Sequence, residues 1–382
     1  MHICIISPSY PVANATNYAF VEQLVNEFVR QGNRCTVITP YNTYWTGKEQ
    51  YPPEYEIKKI ETKCYVEVYR PRFTNRNIPY LPVSTTYYFA QRVFEKTIKE
   101  HGFKFDCIYC HFFISANIAW HYAHKNKIPM FIATGESVIP HRFQKASFNF
   151  TWKKFRKDVN GVICVSSKNL EECVKLHYAE RNKCKVFPNA IDESLFKKMN
   201  KADCRAKLSI PNEIFIVAFV GWYSERKGGG RVSQAIDNIK ENDVFSFFIG
   251  AKQTPNDIEP SCKNILYKGT LPHDEIPIYL NAADIFVLPT QHEGCCNAVI
   301  EAMACGLPVV SSNRAFNWDV LNSSNSIMIE PDNIDEISIA IKKLRDNKDF
   351  RTQLSIGALK TAERLTLSER ASKILSFIKH NL

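Results

Sequence analysis

Glu293 and Glu301 bracket the stretch Glu293-Gly294-Cys295-Cys296-Asn297-Ala298-Val299-Ile300-Glu301, whose residue types suit the grip of a phosphorylated sugar. An apolar run over residues 285–288 predicts a strand ending just before it, and a helix is predicted from Asn297 to a stop at Gly306. The first turn of such a helix offers free backbone N–H groups and the positive end of its dipole, which suits a diphosphate. Gly294 permits a close approach of backbone to ligand. Glu301, about one turn inside the helix, is placed to accept both hydroxyls of a ribose, as the acid of a dinucleotide fold does. Glu293, on the preceding loop, is placed to reach a sugar. Further upstream, Arg226 and Lys227 are two adjacent cations, chemically apt for a diphosphate. Each feature alone also describes a solvated surface: a loop charge, a helix carboxylate, a basic turn.

The elements that must position these residues alternate. A chain of 382 residues with 45% hydrophobic and 23% charged residues is a folded protein long enough for two domains. A strand is predicted over 2–7, then an amphipathic helix over 19–31 with Phe20, Leu24, Val25 and Phe28 on one stripe, capped by Gly32, then a strand over 35–39. That is a βαβ unit, and its crossover implies parallel pairing. Strands over 106–111, 129–133, 161–165 and 183–187 continue the pattern with helices between. Residues 41–98 are less regular and read as edge strands and long loops ahead of a helix. Turn chemistry at Pro188-Asn189-Ala190-Ile191-Asp192 marks a boundary, after which alternation restarts with strands over 215–220, 244–249, 265–267, 285–288, 309–311 and 327–329. Helices are predicted over 334–344, 350–364 and 368–378. The expected domains are 1–187 and 188–364, with 365–382 a helix packing back toward the first. Two consecutive alternations mean an α/β protein of two doubly wound parallel-sheet domains, with ligands at the carboxyl ends of the strands and the active site in a cleft between the domains.

At this point the motifs converge. The segment from Glu293 through Glu301-Ala302-Met303-Ala304-Cys305-Gly306-Leu307-Pro308-Val309-Val310 resembles the E-x7-E signature of retaining glycosyltransferases of family 4, which have the GT-B fold: two Rossmann-like domains facing across a cleft. Val220-Gly221 followed by Glu225-Arg226-Lys227-Gly228 is similar to the family's strand–glycine–basic loop, with Trp222 where Arg commonly stands, so Arg226 takes that role. Tyr267-Lys268-Gly269-Thr270-Leu271 resembles the loop beside the nucleotide base, and residues 188–192 the hinge, with Ala190 where Gly is usual. In the N-terminal half, Phe20-Val21 and Gln23 fit the branch acting on cell-surface polysaccharides. Ala15-Thr16-Asn17-Tyr18 replaces the common double glycine, and Gly135-Glu136-Ser137 replaces the common His-Gly pair.

The resemblance implies a nucleotide-sugar donor, a UDP- or GDP-sugar, and a glycan or lipid-linked acceptor. It assigns donor binding to Gly221, Gly269, Gly294, Cys295, Cys296, Asn297, Ala298 and Glu301, and chemistry to Arg226, Lys227 and Glu293. From the N-terminal domain Glu136 is the first candidate to touch the donor sugar and His111 the second; for His111 a hydrogen-bonded core histidine is an equal reading. The family's front-face displacement needs no protein nucleophile. No cofactor is expected and, with no D-x-D in the chain, no metal. The alternative on the same motifs is a catalytically degenerate partner subunit that binds nucleotide sugar.

Charge and cysteine use complete the picture. Residues 1–185 carry 26 Lys and Arg against 15 Asp and Glu, and the remainder 23 against 24, so the first half holds the whole net charge of +10. A one-sided positive field suits an anionic surface. The aromatic and basic stretch 143–157 reads either as an interfacial helix on an anionic membrane or as a helix turning its aromatic side into the core. The start of the chain has no signal-peptide pattern and no run is long enough to span a bilayer, so a cytoplasmic protein is expected, peripheral on the membrane face under the first of the two readings of 143–157. The thirteen cysteines fit buried thiols in a reducing compartment; Cys107 and Cys110 fall on opposite faces of one strand, unsuited to a shared metal. A dinucleotide oxidoreductase would need glycines after the first strand, where residues 7–10 have none, and no nucleic-acid recognition motif is visible.

Overall fold

The computed structural model describes residues 1–12, 18–45, 47, 50–76, 85–136, 149–241 and 243–382. The chain divides into two compact units: Met1–Val165, Asn169–Phe187 and Arg370–Leu382 form unit 1, and Ser166–Lys168 with Pro188–Glu369 form unit 2.

Unit 1 contains β1 (His2–Ile6), α1 (Ala19–Arg30), β2 (Arg34–Ile38), β3 (Tyr41–Asn42), β4 (Tyr55–Glu61), β5 (Cys64–Tyr69), β6 (Arg72–Phe73), α2 (Thr85–Glu100), β7 (Cys107–His111), α3 (Phe112–Asn126), β8 (Met130–Thr134), α4 (Asn149–Asp158), β9 (Val159–Cys164), α5 (Ser167–Lys175) and β10 (Cys184–Val186). Eight strands form one sheet in the order β10-β9-β8-β7-β1-β2-β5-β4. All neighbours are parallel except β4, which returns antiparallel on β5, and β3 pairs with β6 apart from the main sheet. The central strands are buried on both faces, as a doubly wound sheet requires.

The stripe predicted for α1 needs one correction. Val21, Leu24, Val25, Phe28 and Val29 are its buried face, whereas Phe20 is 41% exposed. The helix begins at Ala19, so its inward stripe is the i, i+3, i+4, i+7, i+8 set counted from Val21. In α4, Phe155 is buried beside Trp120, ring centroids 5.8 Å apart, so at this residue the aromatic side of the stretch faces the core. Residues 143–148 of that stretch, like Ala15, Thr16, Asn17 and Ser137, lie outside the described residues. Cys107 and Cys110 belong to the two core clusters on opposite faces of the sheet, and all thirteen cysteines are free thiols.

Unit 2 contains α6 (Lys201–Lys207), β11 (Phe215–Val220), α7 (Gly229–Asp237), β12 (Val244–Ile249), β13 (Ile265–Gly269), α8 (Ile276–Ala282), β14 (Ile285–Leu288), α9 (Asn297–Ala304), β15 (Val309–Ser312), β16 (Ser326–Ile329), α10 (Ile334–Asp346) and α11 (Lys348–Ala362). The last helix, α12 (Leu367–His380), leaves it; Ala371, Ile374, Leu375 and Ile378 are buried in a core cluster of unit 1 with Ile3, Tyr109 and Phe131. The six strands of unit 2 are all parallel, in the order β13-β12-β11-β14-β15-β16. The exceptionally apolar β11 sits in the middle, as burial on both faces demands. Among the described residues no helix is long and apolar enough to cross a membrane.

Candidate functional site

In unit 2 the winding reverses between β11 and β14: β12 and β13 lie beyond the first, β15 and β16 beyond the second. At such a switch point the following loops diverge and leave a crevice at the carboxyl ends of the strands. The loop after β11 delivers Arg226 and Lys227; the loop after β14 delivers Glu293 and ends at Cys296, the N-cap of α9. The two loops are sewn together. The Gln291 N–H donates to the Arg226 carbonyl at 2.8 Å, and Arg231 donates to the Pro289 carbonyl at 2.9 Å. Gly228 makes this approach feasible: its φ is +79°, and a Cβ there would stand 2.8 Å from the Pro289 oxygen.

Sequence reasoning placed the charges near one another, and the structure joins them at one atom. Glu293 Oε1 receives Arg226 at 2.5 Å and Lys227 Nζ at 2.7 Å, and the Thr290 hydroxyl donates to the same oxygen at 3.1 Å. Arg226 also donates to the His292 carbonyl at 2.8 Å. Burial works against the Lys227 ammonium, but the Cys296 sulfur and the Glu293 carboxylate outweigh it, and its pKa is raised. Lys227 Nζ reaches Cys296 Sγ at 3.8 Å. Burial in turn raises the Cys296 thiol despite the opposing pull of Lys227. Two cations against one carboxylate leave a net positive charge beside the positive end of α9. That arrangement can hold an anion of more than one charge.

The first turn of α9 is fixed by Asn189, whose amide donates to the Cys295 carbonyl at 3.0 Å and to Asn297 Oδ1 at 2.8 Å. Cys296 makes no side-chain cap. Gly294, Cys295 and Cys296 are buried, while Asn297 and Ala298 are partly exposed. Glu301 is 13% exposed, and its Oε1 lies 3.2 Å from His273 Nε2. His273 follows Pro272 in the loop after β13 and belongs to no motif, so spacing gave no signal for it.

Gly221 follows β11 and Gly269 ends β13, so the strand expected over 265–267 runs on through Lys268 and Gly269, the first part of the segment read as a loop beside the base. Between them Gly250 directly follows β12, a position the motifs did not single out. Its N–H donates to the Gly269 carbonyl at 2.8 Å, its φ is +154°, and a Cβ would stand 1.9 Å from the Gly221 oxygen. Trp222 is 48% exposed.

His111 and Glu136 belong to unit 1 and meet at the N-terminus of α3. His111 ends β7, which neighbours β1 at the switch point of that sheet, and is the N-cap of α3. It is buried, its Nδ1 has no hydrogen-bond partner among the described residues, and desolvation followed by the Arg370 charge lowers its pKa to about 3. Phe112, next to it, takes a positive φ of 68°. Glu136 accepts the Thr134 hydroxyl at 2.5 Å, the Gly135 N–H at 3.1 Å and the Phe113 N–H of α3 at 3.4 Å. Burial raises its pKa, opposed by these hydrogen bonds. Among the described residues no three His, Cys, Asp or Glu side chains gather to hold a metal ion.

Comparison with known proteins bears on this arrangement. Residues 200–361 match the family model of glycosyl transferases group 1, and residues 19–195 match that of glycosyltransferase family 4. The chain is 27% identical over 365 residues to TuaC of Bacillus subtilis, named as a teichuronic acid biosynthesis glycosyltransferase, covering 90% of this chain and 89% of that one. Over 227 residues it is 29% identical to an Escherichia coli UDP-Gal:α-D-GlcNAc-diphosphoundecaprenol α-1,3-galactosyltransferase, covering 56% of this chain and 58% of that one. The crystal structure of Anabaena HepE in complex with UDP superposes with a TM-score of 0.73 at 16% identity, covering 100% of each chain. The fold is therefore GT-B, and the chain is a glycosyltransferase with a family 4 N-terminal domain and a group 1 C-terminal domain.

Proposed function

We propose that this glycosyltransferase takes its sugar from a UDP- or GDP-sugar and transfers it, with retention of anomeric configuration and without a metal, to a hydroxyl of a glycan or lipid-linked intermediate. The observation that carries the reading is the convergence of Arg226 and Lys227 on Glu293 Oε1 at the switch point of unit 2, beside the N-terminus of α9. The names of the relatives support the donor and acceptor classes: one acts from UDP-Gal on a diphosphoundecaprenol-linked sugar, and one structure holds UDP.

In this reading Glu301 accepts the ribose hydroxyls, Glu293 orients the sugar, and the backbone from Gly294 to Ala298 meets sugar and phosphate. Gly221 and Gly269 leave room for the nucleotide at the ends of their strands. The acceptor oxygen attacks the anomeric carbon on the face from which the diphosphate departs. The anomeric C–O bond breaks, and the acceptor proton passes to the leaving diphosphate. The protein holds both substrates on that one face and stabilises the charge growing on the leaving group through Arg226, Lys227 and the helix terminus. Glu136 and His111 are the residues of unit 1 assigned to the donor sugar, and unit 1, which carries the basic excess, is assigned the acceptor and the anionic membrane surface where a lipid-linked acceptor resides.

The test is a thermal-shift and turnover screen against UDP- and GDP-sugars, with Glu301→Ala alongside and EDTA added to each active reaction. Binding of a nucleotide sugar that Glu301→Ala weakens roughly tenfold or more supports the reading. Unchanged affinity in that variant removes the donor assignment, and turnover lost to EDTA and restored by Mn²⁺ or Mg²⁺ removes metal independence. Transfer with inversion, read from the anomeric configuration of the product, removes retention.

A further inference from the structure

Glu301 does not stand alone. Its Oε1 is taken by His273 Nε2 at 3.2 Å, while its Oε2 accepts no hydrogen bond among the described residues. The carboxylate is only 13% exposed, whereas the imidazole is 55% exposed. The ring of His273 packs against Phe196 with centroids 5.0 Å apart, which fixes its plane. His273 thus pins one oxygen of Glu301 from the solvent side, and the other oxygen is left for a ligand.

We infer that His273 is a positioning residue for Glu301: it locks the carboxylate with Oε2 presented to the ribose and, as an imidazolium, offsets the negative charge that would otherwise face an anionic nucleotide. The inference rests on the donor role proposed for Glu301. Three acidic groups face the imidazole: Glu301 from α9, Asp192 from the loop after β10, and Asp274 from its own loop. The hydrogen bond to Glu301 is the largest influence on its pKa, burial opposes it, and the charges of Glu301, Asp192 and Asp274 add to it, so the pKa is raised above 6.5. His273 is therefore charged below that raised value and loses its charge as pH climbs through it. The neutral ring keeps a weaker bond to Glu301 and no longer cancels its charge.

Donor affinity should consequently be greatest on the acid side and fall as pH rises, with no change in the ligand itself. The diphosphate of a nucleotide sugar is esterified at both ends and does not titrate near neutrality, unlike a free nucleoside diphosphate. The experiment measures calorimetric affinity of UDP-glucose and GDP-mannose from pH 6 to pH 8.5 for the wild-type chain, His273→Ala, His273→Gln and Glu301→Gln. Wild type should lose affinity about threefold or more across the range, on the scale of one exposed charge interaction. His273→Ala should be weaker at pH 6 and flat with pH, and His273→Gln should recover part of the affinity while staying flat, because its amide nitrogen stands where Nε2 does and can donate to Glu301 without titrating. If His273→Ala binds as wild type does with the same pH slope while Glu301→Gln loses binding, the inference is overturned and the ribose role of Glu301 stands. If Glu301→Gln leaves affinity unchanged, or neither nucleotide sugar binds the wild-type chain, the donor reading falls and takes the inference with it.

Discussion

Lys227 Nζ sits 2.7 Å from Glu293 Oε1, the oxygen that Arg226 also holds. A carboxylate shared by two cations is fixed in place by them and in turn sets where they point. With Lys227 and Glu293 only 13% and 14% exposed, solvent screens the pair little.

The first expectation concerns that carboxylate. In Glu293→Gln both cations keep their charge and lose the anion that neutralised one of them. UDP should bind the variant at least as tightly as it binds wild type, because the site is now more positive. Turnover should fall roughly a hundredfold, the scale for removing one oriented polar contact to the reacting group. Isothermal titration with UDP and single-turnover kinetics separate the two. Parallel losses in affinity and rate would show that Glu293 serves only to build the site and does not orient the sugar.

The second concerns the cations. Replacing Lys227 or Arg226 by Met should weaken UDP roughly tenfold or more each, the loss of a charge-assisted hydrogen bond of about 1.5–3 kcal/mol. The salt dependence of binding should become shallower in both variants. Arg226→Lys should recover only part of the affinity, since Nη1 alone bonds Glu293 and the His292 carbonyl, and an ammonium has no second nitrogen left for a phosphate. Affinity unchanged in both Met variants, read by the same titration, would move the diphosphate elsewhere.

Much of this was legible in the sequence for a physical reason. β11 and β14 are continuous apolar runs closed by Gly and Pro, and β12 is broken only by Ser246, the pattern of strands buried on both faces. The acid-to-acid spacing from Glu293 to Glu301 likewise follows from a loop of fixed length entering a helix. What stayed hidden depends on contacts between segments distant in sequence. His273 finds Glu301 from 28 positions away, and Gly250 is required by the Gly221 carbonyl of the neighbouring strand. The antiparallel β4–β5 edge and the exposure of Phe20 depend on what lies beyond the sheet edge and on the helix start, neither of which periodicity encodes.

Gly250 gives the third expectation. Its φ of +154° disfavours any side chain, and a Cβ would press on a backbone oxygen that a rotamer change cannot move. Gly250→Ala should lose about 2 kcal/mol or more of stability in chemical denaturation. Gly230→Ala is the control: it lies in α7, and the nearest atoms to an added Cβ are those of Ile258 at 3.9 Å. Alanine there should be neutral or stabilise by up to about 1 kcal/mol. Equal effects at the two positions would mean that the ends of β11 and β12 can part without cost.

The fourth turns on His111. Burial, reinforced by the charge of Arg370, brings it down to about 3, so the folded protein keeps it neutral throughout the physiological range. In the unfolded chain it titrates near 6.5. Between these values the unfolded chain binds a proton that the folded chain refuses. The stability contributed is therefore complete above about pH 6.5 and is lost as pH falls toward 3. At pH 5 the loss from this one residue is about 2 kcal/mol, 1.36 kcal/mol for each unit below 6.5. His111→Asn cannot titrate, and the gap between its stability at pH 7 and at pH 5 should be narrower than that of wild type by about that amount, measured by urea denaturation at the two values. The same neutrality bears on catalysis. A kcat limb with an apparent pKa between 6 and 8 should persist unchanged in His111→Asn, since a group that stays uncharged over that interval cannot produce it. Disappearance of the limb together with an unchanged stability gap would place a titrating imidazole at the reaction centre and overturn the buried, neutral assignment.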